Sequence, residues 1–333
     1  MAVTNQVKLA ILDDYQNLAL GYADWDRARE RGVEITVFDR HLGTTDEAAA
    51  ALAPFDALLL MRERQHMPGT LIQRLPNLKF LVLTGARAPS LDVAACTARG
   101  IPISNTGPGP SQASTSELAW ALLMDAARHV TRADRLVRAG GWHGGLEMGT
   151  ILAGKRLGIL GLGRLGSKMA HYARAFDMEP VAWSQNLTPE KAREGGATWL
   201  SKDELLATSD IVSIHLVLSD RTRGLIGRAE LARMRKGAIL VNTSRGPIVD
   251  EQALIEALRS GHLAAAGLDV YDVEPLPAKH PLTTLDNLVL TPHLGYVADA
   301  IFRVFYRDAL DDLLAWLDGK PIRVINPEAL SRT

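Results

Sequence analysis

The chain carries one cysteine in 333 residues, Cys96. That excludes an intramolecular disulfide and fits a reducing compartment. Neither sign of charge is in excess: 37 Lys and Arg face 38 Asp and Glu, a formal net charge of −1. A basic face for nucleic acid is therefore not expected. No run approaches the ~20 apolar residues of a membrane helix. Met1-Ala2-Val3-Thr4-Asn5-Gln6 lacks the charged start and apolar core of a secretory leader, so a cytoplasmic location and no membrane partner are expected. No metal site is expected either. Cys96 lies in the apolar helical stretch Leu91–Cys96, where a buried, inert thiol is the expectation.

What is present is an alternation of short apolar runs and helical patterns. Candidate strands are Lys8–Leu12, Glu34–Phe38, Ala57–Leu60, Phe80–Leu83 and Ile101–Ser104. A second group comprises Arg156–Leu160, Pro180–Trp183, Ile211–His215, Ala238–Asn242, Ala264–Leu268 and Leu288–Leu290. Candidate helices include Tyr22–Arg31, Asp46–Leu52, Ser90–Arg99, Lys168–Phe176, Glu251–Ser260 and Ala298–Asp318. The runs are apolar without clean alternation, as in strands covered on both sides. This predicts an α/β protein with two doubly wound parallel sheets. Between the groups, Ser111–Arg138 reads as one extended helix, with Leu118, Leu122, Ala126 and His129 or Val130 near a 3.6 period.

The most informative stretch is Leu157-Gly158-Ile159-Leu160-Gly161-Leu162-Gly163-Arg164-Leu165-Gly166. A strand runs into Gly-x-Gly-x-x-Gly and a helix follows, the order that a dinucleotide pyrophosphate requires. Gly161 permits the tight turn, Gly163 lets phosphates approach the backbone, and Gly166 lets the helix pack on the sheet. Arg164 and Leu165 lie at the helix N-terminus, whose N–H groups and partial positive charge favour an anion.

Three strand ends carry polar residues, where ligands of open parallel sheets bind. Asn242-Thr243-Ser244-Arg245-Gly246 offers a guanidinium able to clamp a carboxylate at two points. Asp269-Val270-Tyr271-Asp272-Val273-Glu274-Pro275 and Thr291-Pro292-His293-Leu294-Gly295 offer a carboxylate and an imidazole. Singly, each has an ordinary reading as an ion pair, a solvated acid or a structural histidine. Together, downstream of a dinucleotide motif, they supply the parts of a hydride-transfer site for 2-oxo acids.

On these motifs the chain resembles the D-isomer-specific 2-hydroxyacid dehydrogenase family. Further stretches carry the resemblance: Ala98–Thr106, Ser116-Glu117-Leu118-Ala119, Gly140-Gly141-Trp142 and Gly154–Ile159. It implies a Rossmann dinucleotide-binding domain, 106–296, inserted into a flavodoxin-like substrate domain, 1–105 plus 297–333. By that resemblance Arg245 binds the substrate's carboxylate and carbonyl, Glu274 pairs with the catalytic histidine, and His293 is the proton donor. Asp269 would contact the nicotinamide carboxamide, with Thr243, Ser244 and Gly295 also on the cofactor side. The long helix looks like the family's dimerisation segment, implying a homodimer. The implied reaction moves a hydride between NAD(P)H and a small 2-oxo acid or D-2-hydroxy acid. The competing reading is a corepressor-like protein on the same fold that senses the dinucleotide.

The chain departs from the pattern in places. The second Rossmann strand should end in an acid roughly 20 residues beyond the glycines. Ser184 stands there and would bind the cofactor ribose without repelling a 2′-phosphate, and Lys191 or Arg193 lie within reach of one in sequence. NADP(H) is therefore slightly favoured over NAD(H). After the third strand, Met61-Arg62-Glu63-Arg64-Gln65 occupies the family's substrate loop. Arg62 is the expected substrate contact there, Arg64 a further source of positive charge, and Glu63 a solvated acid. Arg87 stands where the family commonly has glycine.

Overall fold

The computed structural model describes residues 6–85 and 89–332; Arg87 lies outside them. The chain divides into two compact units, Met1–Pro110 with Ala298–Thr333, and Ser111–Val297.

The first unit holds strands β1 (Val7–Ile11), β2 (Val33–Val37), β3 (Ala57–Leu60), β4 (Phe80–Leu83) and β5 (Ile103–Asn105). They are parallel, in the order β2-β1-β3-β4-β5. Every residue of β3 and β4 is buried, because both faces of the sheet are covered. Leu58, Leu60, Leu81 and Leu83 join a core with Leu52, Ile72 and Cys96 from the helices. From the alternate positions, Phe80 stacks on Trp316 of the long helix Asp299–Leu317, with ring centroids 4.9 Å apart. Each such large apolar side chain contributes about 1.5–3 kcal/mol by burial. The strand order reverses between β1 and β3, which makes their carboxyl ends a topological switch point.

The second unit holds β6 (Arg156–Leu160), β7 (Glu179–Trp183), β8 (Thr198–Trp199), β9 (Ile211–Ile214), β10 (Ala238–Asn242), β11 (Leu263–Leu268) and β12 (Leu288–Leu290). All pair in parallel, in the order β12-β11-β10-β9-β6-β7-β8. Separate apolar cores include Leu160, Val212 and Leu240 in one and Leu157, Ile211 and Ile239 in the other. The order reverses between β6 and β9, so this switch point carries the glycine loop.

Two helices differ from expectation. Ser111–Arg138 is two helices, Ser111–Arg128 and Val130–Arg138, broken at His129, which has φ 56°. The Asp125 carboxylate accepts the Thr131 N–H at 2.8 Å, so the second helix starts on its own cap. Tyr22–Arg31 is likewise two single turns, Ala19–Tyr22 and Asp26–Arg29. The Asp14 carboxylate starts the first by accepting from the N–H groups of Leu18 and Ala19, and extended backbone at Ala23 ends it. The two-residue edge strand β8 was not anticipated, since so short a segment carries no period. Cys96 is buried, and burial pushes its thiol up to about 12, which leaves it inert. No helix among the described residues is long and apolar enough to cross a membrane.

Candidate active site

The glycine loop has the form its spacing requires. Gly161 has φ 98°, and a Cβ there would meet the His215 carbonyl oxygen at 2.6 Å. A Cβ on Gly166 would collide with the Gly161 carbonyl, whereas one on Gly163 would meet open space. Helix Arg164–Ala175 starts directly at Gly163 with no side-chain cap, so its first N–H groups, at Arg164 and Leu165, are offered to a ligand. It begins four residues before the expected Lys168.

Two polar atoms at neighbouring strand ends support a bound group. Thr243 Oγ1, after β10, and His215 Nδ1, after β9, are buried with no hydrogen-bond partner. His215 Nε2 is 2.8 Å from Ser213 Oγ, and desolvation holds the ring down to about 4, so it is neutral at physiological pH. Open backbone at Gly163, unsatisfied helix N–H groups and orphaned polar atoms at the switch point fit a dinucleotide. Ser184 directly follows β7, half-buried, and its carbonyl accepts the Leu187 N–H at 3.1 Å. Lys191 and Arg193 are exposed on the short helix Pro189–Glu194.

The three strand-end motifs come together. Asn242 holds the turn that carries Arg245: its Nδ2 donates to the Arg245 carbonyl at 3.0 Å, and its Oδ1 accepts the Ser244 N–H at 3.0 Å. Ser244 Oγ donates to the Ile214 carbonyl at 2.8 Å, tying the turn to β9. Gly246 packs so tightly on the backbone of Tyr271 and Asp272 that a Cβ would not fit. This sets the arginine turn against the loop that bears Glu274. In that loop Glu274 Oε1 accepts the Tyr271 N–H at 3.0 Å, while Oε2 lies 2.6 Å from His293 Nδ1.

Asp269 is 1% exposed and fixes the third motif. Its carboxylate accepts from Thr291 Oγ1 at 2.6 Å and from the N–H groups of Leu294 and Gly295 at 2.7 and 2.9 Å. Burial raises its pKa, opposed by those hydrogen bonds. His293 therefore sits in a loop pinned on its carboxyl side, with φ 55° and its own N–H on the Thr291 carbonyl. Gly295 is fixed from a second direction, its carbonyl accepting from Ser114 and Thr115 at 2.9 and 2.8 Å. Sequence reasoning assigned no role to Asn242 or Tyr271. Tyr271 is buried, and its hydroxyl donates to the Thr291 carbonyl at 2.9 Å; burial and the nearby anions Asp269 and Glu274 raise its pKa. Both stood inside motifs already singled out, and a polar side chain at the last position of an apolar strand was the available signal.

In the first unit Arg62 follows β3 with φ 52°, its N–H on Thr84 Oγ1 at 2.9 Å. Its side chain crosses Gly85, where a Cβ would lie 2.7 Å from Nη1. Glu63 is not a solvated acid: its side chain is 15% exposed and pairs with Arg62 at 3.3 Å, because the turn folds it against the preceding arginine. Arg64 reaches the end of β1 and donates to the Asp13 carbonyl at 2.6 Å.

Known proteins resemble this chain over most of its length. Residues 120–295 match the model of the D-isomer specific 2-hydroxyacid dehydrogenase NAD-binding domain. The glyoxylate reductase of Aeropyrum pernix is 43% identical over 268 residues, 78% of this chain and 80% of that protein. The hydroxypyruvate reductase of Blautia hydrogenotrophica is 32% identical over 326 residues, 96% of this chain and 100% of that protein. Among solved structures, phosphoglycerate oxidoreductase from Vibrio cholerae superposes with a TM-score of 0.88 at 34% identity, covering 94% of this chain and 99% of that one. The chain belongs to the D-isomer-specific 2-hydroxyacid dehydrogenase family.

Proposed function

We propose that this oxidoreductase reduces a small 2-oxo acid to its D-2-hydroxy acid, and catalyses the reverse, with His293 as the proton donor. The 2.6 Å contact between His293 Nδ1 and Glu274 Oε2 carries the proposal. Glu274 engages Nδ1 and orients the ring, and Nε2 is the atom proposed to exchange a proton with the substrate oxygen. A reduced nicotinamide, when bound, supplies the hydride. His293 gives its proton to the carbonyl oxygen in reduction and, neutral, takes it back in oxidation. Arg245 is proposed to clamp the carboxylate. A guanidinium has five N–H donors, so the 2.6 Å bond from Nη1 to the Ser244 carbonyl is compatible with a two-point grip. Arg62 is the second proposed substrate contact.

NADP(H) is slightly favoured over NAD(H), on the neutral Ser184 side chain directly after β7. Asp269, Thr243, Ser244 and Gly295 are proposed to line the nicotinamide side. A homodimer through the region 111–151 is proposed on a different observation. Helix Val130–Arg138 buries none of its residues, and Val130, Val137, Trp142, Met148 and Ile151 are all exposed, Met148 at 93%. Apolar exposure of that kind marks an interface. Light scattering at micromolar concentration gives a dimer on this reading, and a monomer would refute it.

The reaction is tested by following absorbance of NADH and NADPH separately over a panel of 2-oxo acids that includes glyoxylate and hydroxypyruvate. Substrate-dependent oxidation is expected. Tight cofactor binding with no turnover on any member would favour the dinucleotide-sensing alternative.

A further inference from the structure

We propose that Tyr271 is a positioning residue for proton transfer, a single stiff residue that holds His293 against Glu274. Resting on the proposed reaction, Tyr271 acts through these two residues and supplies no proton itself. Its backbone N–H donates to Glu274 Oε1 at 3.0 Å, and its hydroxyl donates to the Thr291 carbonyl at 2.9 Å. That same carbonyl accepts the His293 N–H at 3.0 Å. A carbonyl oxygen has two lone pairs, so it takes both donors. The hydroxyl's one proton goes to Thr291, because the Leu268 carbonyl stands farther off at 3.3 Å. From another side Gly246 presses on the Tyr271 backbone, where a Cβ would lie 2.0 Å from the Tyr271 carbonyl carbon. Tyr271 thus touches the arginine turn, the glutamate loop and the histidine loop at once.

Packing alone would be served by phenylalanine. Tyr271 is 6% exposed and lies in the apolar core with Leu268, Leu282 and Leu288. Its hydroxyl adds a directed bond to a carbonyl that already has a donor in His293, so Thr291 does not need it for satisfaction. What the bond does is set where that carbonyl, and the His293 N–H on it, sit relative to Glu274. Asp269 works differently: it binds the Thr291 side chain and the N–H groups after His293, fixing the histidine loop within itself. Tyr271 ties that loop to the one carrying Glu274. Burial and the nearby anions Asp269 and Glu274 raise the phenol's pKa, so it stays a donor at neutral pH. The ring has only two side-chain torsions, and both of its ends are held, which makes the span stiff. Catalysis is sensitive to such spans, since a displacement of about 1 Å can cost 10²-fold in rate.

The test is Tyr271→Phe in the full chain, which keeps the ring, its packing and the backbone N–H on Glu274. The kcat for glyoxylate should fall about tenfold, with KM and cofactor affinity within about twofold of wild type. The proton shared by His293 Nδ1 and Glu274 Oε2, identified in the NMR spectrum by its loss in His293→Ala, should shift or exchange faster. In a Glu274→Gln background the same substitution should cost less than about twofold, because the pair it positions is already disrupted. Wild-type kcat in Tyr271→Phe overturns the positioning role. So does an undiminished loss in the Glu274→Gln background, which is what a purely structural contribution would give. A changed proton signal in a chain that reduces no 2-oxo acid would leave the positioning standing and defeat the proposed reaction.

Discussion

The carboxyl ends of the two sheets handle buried carboxylates in opposite ways. In the second unit Asp269 accepts three hydrogen bonds, and both oxygens of Glu274 are engaged, one by backbone and one by His293. In the first unit Asp14 accepts from Leu18, Ala19 and the Tyr306 hydroxyl, while its neighbour Asp13 keeps a buried oxygen with no donor. On the proposed reaction, the difference sets a proton-transfer geometry built in advance against a carboxylate left partly unsatisfied. Preorganisation suits a group that must meet a developing charge in one position. A buried acceptor left unpaired instead costs stability.

The comparison can be broken at several points. Gly166→Ala places a methyl against the Gly161 carbonyl and shifts the loop, so cofactor affinity should fall by about 10²-fold in a fluorescence titration. Unchanged affinity would show that the loop does not bind the dinucleotide. Arg245→Ala should lower kcat/KM for glyoxylate by about 30- to 1,000-fold, the cost of removing one partner of a charged hydrogen-bonded pair. Ser184→Asp should move the NADPH/NADH preference toward NADH by about tenfold, roughly 1.4 kcal/mol. A constant ratio would mean that Ser184 does not meet the ribose.

Stability sharpens the contrast between the two aspartates. Asp14→Ala removes a carboxylate with three bound donors and should destabilise by about 1–3 kcal/mol, read from denaturant midpoints. Asp13→Asn should have the opposite sign above pH 6. With its pKa raised by burial from 3.8 to about 6, folded Asp13 binds more protons than unfolded Asp13 across that window. Its contribution is therefore favourable below pH 3.8 and is lost as pH rises through about 6. The variant's stability relative to the wild-type chain should accordingly rise between pH 4 and pH 7 by about 1–2 kcal/mol. A difference independent of pH would show that Asp13 is not the titrating group.

The second unit was the more legible in sequence. Its glycine loop, Arg245, Glu274 and His293 stand at strand ends in motifs whose residue types match the chemistry, and the geometry joins those motifs through Gly246 and Asp269. What sequence did not reveal depends on contacts distant along the chain. The 3.6 period runs through His129 because periodicity is blind to the Asp125 carboxylate that starts a second helix there. Glu63 looked solvated because composition does not register a turn folding it onto Arg62. Asp13 and Asp14 are identical letters side by side, and only the placement of Tyr306, 292 residues from Asp14, distinguishes a satisfied carboxylate from an unsatisfied one.

The central claim is that proton transfer belongs to His293. Measuring kcat for glyoxylate on His293→Ala tests it directly. The account predicts a loss of about 10²–10⁴-fold, with cofactor affinity kept. Near wild-type turnover in His293→Ala would contradict it.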